Sequence, residues 1–339
     1  VRTDPPSRRL LAPLLFVVAY GLLALAWAMA QPDPLSGRPP DGALRADRLD
    51  DLALWLLAVA LATALAWRPA AGSLSLAGIA VALTPGVVFL GGAAGGDGLV
   101  FAAGIAVLAG AARIAGDERR APWTFAATAL AAVLLGLGAP ELAGVGGPGE
   151  AWEALGSGLA TAVGGFGAGS RLPPLGLVIW ALALLALVLA ADRFTDDAGR
   201  RLLWSGALVT AVAALLLYGP ARAAAGETPY ARHALALLAF TPVLAGDLLA
   251  RTGVTWWPRL GAGCFGLLAL VQLLGFLTGY EDARGDGTTA WVAAALLGGA
   301  ALAAAGALTG AGRTPSAQEE PSCERGNSGG NGGACPQPR

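Results

Sequence analysis

The chain has 339 residues, 55% of them hydrophobic and only 13% charged, with a single histidine. That is too little charge to dress the surface of a soluble globule of this size, so the composition places the chain in a lipid bilayer. A formal net charge of −1 argues against nucleic acid as a partner, because phosphate recognition needs a concentrated excess of cations.

A bilayer core about 30 Å thick takes roughly 20 apolar residues per helical span. Ten runs approach that length: 10–30, 52–67, 74–93, 98–114, 122–138, 174–191, 202–218, 233–250, 260–279 and 289–309. The expected fold class is therefore all-α, a polytopic bundle of about ten spans occupying 1–309. The first run follows Arg8 and Arg9, and Ala28-Met29-Ala30 at its end has the small residues of a signal cleavage site. It exceeds the usual h-region of about 7–15 residues and is expected to stay as a membrane anchor.

Between the first two runs lies RPPDGALRADRLDD at 38–51, expected as part of an external loop over 31–51. GGAAGGDG at 91–98 lacks the Lys-Ser/Thr ending of a phosphate loop and has no strand before it, so it is expected to be a tight external turn. The longest loop, 139–173, is either a Gly-rich connector or, from the spacing of Trp152, Leu155 and Leu159, a short interfacial helix. After Leu308 the sequence loses its apolar side chains, and 310–339 is expected as a disordered tail. Cys323 and Cys335 lie there without a histidine nearby, and no metal site or cofactor is expected.

All 22 basic residues are arginine, and cytoplasmic loops retain positive charge. With the N terminus inside, Arg2, Arg8, Arg9, Arg68, Arg113, Arg119, Arg120, Arg193, Arg200, Arg201, Arg251, Arg259, Arg313, Arg325 and Arg339 are cytoplasmic. Arg38, Arg45, Arg48, Arg171, Arg222, Arg232 and Arg284 are then outside. This division, 15 against 7, puts the acidic first loop on the exoplasmic side and the C-terminal tail in the cytoplasm.

Polar groups within the runs are scarce, and each is costly in hydrocarbon without a partner. Gln272 is expected to make an interhelical hydrogen bond, and Asp247 to sit at a solvated helix end. Without a chain of buried acids or histidines, an ion-coupled carrier is disfavoured. Thr84-Pro85 and Thr241-Pro242 interrupt two runs of opposite direction, a pattern that can mark a transport site between kinked helices. The remaining polar chemistry is at the outer surface: Asp33, Asp41, Asp47, Asp50 and Asp51 beside Arg38, Arg45 and Arg48, with Tyr230, Arg232 and His233 opening the eighth run. Acids beside arginines can hold a phosphate and deprotonate a hydroxyl, or simply solvate a loop.

Four segments, in order, carry a resemblance: LTPGVVFLGGAAGGDGLVFAAGIAVLAGAAR at 83–113, GGFGAGSRLPPLGLVIWALALL at 164–185, YARHALALLAFTPVLAG at 230–246 and ALVQLLGFL at 269–277. They resemble a bacterial family of multi-spanning membrane proteins, the domain-of-unknown-function family twenty-one forty-two, which is similar in architecture to the GT-C glycosyltransferases. The resemblance implies a GT-C-like bundle in the bacterial inner membrane and a polyprenyl-phosphate-linked sugar as partner. It also implies a role in cell-envelope biogenesis, with an acidic residue in the first external loop as base. Asp41 takes that role, and Arg45, Tyr230, Arg232 and His233 are the implied substrate-binding residues.

The chain departs from the family pattern at its polar positions. Pro40-Asp41 continues with Gly42 where the family has Glu, and Arg45 stands at the family's histidine. Gly95-Gly96 replaces Asn-Pro before Asp97-Gly98. Phe166-Gly167-Ala168-Gly169-Ser170 replaces Phe-Gly-Trp-Leu-Asp, and Arg232-His233 replaces Arg-Tyr. The implied member is shortened, diverged and weakened in catalysis. A non-catalytic scaffold in envelope assembly and a small-molecule transporter are the competing readings. An enzyme needs Asp41 and Arg232 to share a pocket, a transporter needs a polar path between the kinked helices, and a scaffold needs neither.

Overall fold

The computed structural model describes residues 6–30, 42–93, 97–116, 121–138, 163–166, 170–225, 239–252, 258–283 and 289–308. Among these residues the helices are α1 (Pro6–Ala30), α2 (Gly42–Ala66), α3 (Leu74–Ala82), α4 (Pro85–Gly92), α5 (Asp97–Gly116) and α6 (Pro122–Gly138), followed by α7 (Pro174–Phe194), α8 (Asp197–Ala225), α9 (Phe240–Arg251), α10 (Pro258–Ala283) and α11 (Thr289–Leu308). The strands are two residues each, β1 (Gly165–Phe166) and β2 (Ser170–Arg171), paired antiparallel before α7.

Six helices, α1, α2, α5, α7, α10 and α11, are long and apolar enough to cross a membrane, and α3 with α4 makes a seventh if the bent pair is one span. The chain is thus a multi-pass helical membrane protein. The expected spans at 122–138, 202–218 and 233–250 fall on α6, α8 and α9. Of these α6 is apolar but short, and 233–238 lies outside the described residues. The 310–339 tail and the Trp152–Leu159 stretch also lie outside them.

The second expected boundary needs correction. Helix α2 begins ten residues before the apolar run, so Arg45, Asp47, Arg48, Asp50 and Asp51 are helical and not part of a loop. Ala43, Leu44, Ala46 and Leu49 are good helix formers, which lets the helix begin before the apolar run. Hydropathy marks where lipid begins, whereas the helix starts earlier, in the polar layer.

Neighbouring helices can be oriented by the residues that meet. Arg48 reaches Ala28 and Gly21 faces Leu56, so α1 and α2 are antiparallel. Gly110 faces Thr128 while Arg113 covers Trp123, so α5 and α6 are antiparallel. Gly199 faces Leu248 and Gly206 faces Phe240, which makes α8 and α9 antiparallel. Gly306 meets Phe265 and Gly299 meets Leu273, giving the same relation for α10 and α11. By contrast α1 and α10 run parallel, because Phe16 packs on Phe265 and Trp27 on Phe276.

The core runs the length of the bundle through Phe16, Tyr20, Trp55, Phe101, Phe265 and Phe276, all essentially buried. The outward faces are apolar as well. Leu175, Val178, Leu182, Leu185 and Leu189 form a stripe at spacings of 3 and 4 along α7 and are all more than half exposed. A water-facing helix would carry charge there, whereas a lipid-facing one carries leucine.

Candidate functional site

Of the residues implied as the site, Asp41, Tyr230, Arg232 and His233 lie outside the described residues, and Arg45 is described only as backbone in the first turn of α2. Within the described residues the first helical turns of α2 provide a charged end. Asp47 and Asp50 are exposed, Asp51 is half-buried, and Arg48 is buried at 2% exposure. The Arg48 guanidinium donates to Ala28 O at 2.9 Å, where the last turn of α1 leaves carbonyls unpaired within the helix. Arg48 therefore ties α1 to α2.

At mid-bundle the third apolar run is broken. α3 and α4 meet at an angle of 69° across Leu83 and Thr84. Thr84 caps α4, its hydroxyl accepting from Val87 N at 3.3 Å, and Pro85 occupies the first turn, where its missing N–H costs nothing. Thr241-Pro242 likewise lies in the first turn of α9. The expected interruption at Thr84-Pro85 is present as a break between two helices, whereas the part of the run before Thr241-Pro242, 233–238, lies outside the described residues.

The break exposes the last carbonyls of α3, and three other helices satisfy them. The Tyr20 hydroxyl on α1 donates to Ala80 O at 3.2 Å, Trp180 Nε1 on α7 donates to Val81 O at 2.9 Å, and Gln272 Nε2 on α10 donates to Leu83 O at 2.6 Å. Gln272 makes the interhelical bond expected of it. Tyr20 and Trp180 are additional participants that no sequence signal singled out, because aromatics within an apolar run read as core. Replacing Gln272 by leucine should leave insertion intact and cost about 1–2 kcal/mol, the range for a membrane interhelical hydrogen bond; unfolding in bicelles measures it.

Among the described residues no polar path separates α3 from α9 at their crossing. α3 and α9 touch backbone to backbone. A Cβ on Gly78 would lie 2.2 Å from Pro242 O, and one on Gly246 would lie 2.8 Å from Gly78 N. The residues beside this crossing, Ala77 and Val243, are buried and apolar.

A second charged cluster occupies the opposite end from Arg48. Asp247, expected at a solvated helix end, is only 8% exposed. It accepts from Arg68, 179 residues away in sequence, at 2.7 Å, and from Arg251 one turn along α9. Arg251 also donates to Ala112 O at 2.7 Å near the end of α5, and Arg113 donates to Leu65 O at 2.9 Å and Trp67 O at 3.2 Å at the end of α2. Arg113 lies 4.7 Å from the centre of the Trp123 ring.

These charges largely cancel within the protein. Three guanidinium groups face one carboxylate and two helix C-termini worth roughly half a negative charge each. Each of these guanidinium groups is engaged by a carboxylate or by carbonyls near a helix end, so the cluster is a structural clamp joining α2, α5 and α9. Among the described residues no group of acids, cysteines or histidines could hold a metal ion. No family model matches the chain, and neither does any curated protein or solved structure.

Proposed function

We propose that this protein is a GT-C-like membrane protein of about ten spans in the bacterial inner membrane, related to the domain-of-unknown-function family twenty-one forty-two. In this reading it acts at the exoplasmic face on a polyprenyl-phosphate-linked saccharide in cell-envelope biogenesis, with catalysis weakened relative to that family. Asp41 is the base that accepts the proton of the incoming hydroxyl. Arg45 and Arg232 bind the phosphate, since a guanidinium can engage it through two parallel hydrogen bonds, and Tyr230 and His233 complete the pocket.

The observation that supports this reading is the separation of charge along the bundle. The clamp of Arg68, Arg113 and Arg251 gathers at one end, while Asp47, Asp50 and the helix start that follows Asp41 lie at the other. By the positive-inside rule the acidic end is exoplasmic, with the N terminus and tail in the cytoplasm.

A transfer assay in proteoliposomes with a polyprenyl-phosphate sugar donor tests the reading. The wild type should transfer sugar, and Asp41→Asn should abolish transfer while the protein remains inserted and folded, because the amide keeps the shape and removes the base. No transfer by the wild type, or full transfer by the variant, sinks it. A small-molecule carrier is the second reading, favoured by the broken α3–α4 span. Against it stands the backbone contact that closes α3 on α9.

A further inference from the structure

We propose that the break between α3 and α4 binds a neutral hydroxyl-bearing ligand, held by its O–H on the side-chain oxygen of Gln272. Among the described residues that oxygen, Oε1, has no hydrogen-bond partner, although Gln272 is only 3% exposed. The amide cannot be turned round to remove the problem. Its nitrogen donates to Leu83 O at 2.6 Å, and the neighbouring Tyr20 hydroxyl spends its proton on Ala80 O. Turning the amide would set two oxygens against each other at Leu83. The amide nitrogen is thus committed to the broken helix, and the acceptor on the same amide is left unpaired beside it. A buried acceptor in a low-dielectric interior is normally paired, and a ligand with an O–H pairs it.

The second feature of the site is the start of α4. Thr84, next to the Leu83 carbonyl that holds Gln272, caps this eight-residue helix. Its backbone dipole gives that end a partial positive charge. The break therefore offers one acceptor and one weakly positive helix end, which suits a group that both donates and accepts. Water and alcohols fit. A cation does not, because it would face the positive helix end, and α3 and α4 contain no charged residue to balance it. An anion would meet the Gln272 oxygen. The ligand is either a resident water or the hydroxyl of a bound solute or lipid, and the proposal holds whether or not the acidic end transfers sugar.

The test is the carbonyl stretch of Gln272 in the intact protein. Replacing Gln31, Gln318 and Gln337 by alanine leaves Gln272 as the sole glutamine, and side-chain carbon-13 labelling then isolates its infrared band. Should that variant fail to fold, the difference between labelled wild type and Gln272→Met gives the same band. A hydrogen-bonded frequency is expected, and a free carbonyl frequency in the hydrated, folded protein overturns the proposal. Lowering the water activity of a hydrated film moves the band to the free position if the ligand is water. Exhaustive washing in a hydroxyl-free detergent moves it if the ligand is a lipid or solute hydroxyl. A band that stays bonded under both treatments means that a protein group is the donor, and also overturns the proposal.

Discussion

Asp247→Asn should lower the unfolding free energy by about 3 kcal/mol, near the lower end of the range for removing one partner of a buried ion pair. The lower end applies because Arg68 and Arg251 are 19% and 32% exposed and keep some solvent. The substitution leaves two guanidinium groups around a neutral amide at the point where α2, α5 and α9 converge. Measured in bicelles by denaturant unfolding, the loss should shrink when Arg68→Gln is added, since the second change removes a charge that the first left unpaired. Strict additivity of the two would mean that Arg68 and Asp247 do not interact.

Gly78→Val should cost at least about 3 kcal/mol, the upper part of the usual range for overpacking a tight core. The first added carbon would already meet Pro242 O at 2.2 Å and its carbonyl carbon at 3.0 Å, and these are backbone atoms that cannot swing away. Only a separation of α3 from α9 relieves the clash, and that would also pull Asp247 from Arg68. Gly263→Ala on α10 is the control. A Cβ there meets nothing within 4 Å, and the change should stabilise the helix by roughly 0.5–1 kcal/mol. Equal effects at both glycines would contradict the close crossing.

Much of the architecture was legible because bilayer burial acts on every residue of a span. Runs such as 10–30, 98–114, 174–191 and 289–309 lie on α1, α5, α7 and α11 with small shifts at their ends. The start of α2 was not legible, since a helix in the polar layer needs backbone hydrogen bonds and caps but no hydrophobicity. Thr84-Pro85 was visible as an interruption, yet the carbonyls it frees at the end of α3 need donors from Tyr20, Trp180 and Gln272, which are far from it in sequence. Asp247 was visible as an acid near a span end. Its burial follows from Arg68, and nothing local to either residue announces a partner 179 positions away. The implied catalytic residue Asp41 and its partners Tyr230, Arg232 and His233 rest on the resemblance, because loop residues bear no periodicity from which a shared pocket could be read.

The two ends of the bundle must face opposite compartments for the acidic end to meet a lipid-linked substrate while the arginine clamp stays inside. Fusing a reporter that works only outside the cytoplasm tests this most directly. Fusions after residue 45 or 160 should be active, and fusions after residue 118 or 197 inactive. Activity in the reverse pattern would place the acidic end inside and contradict the account.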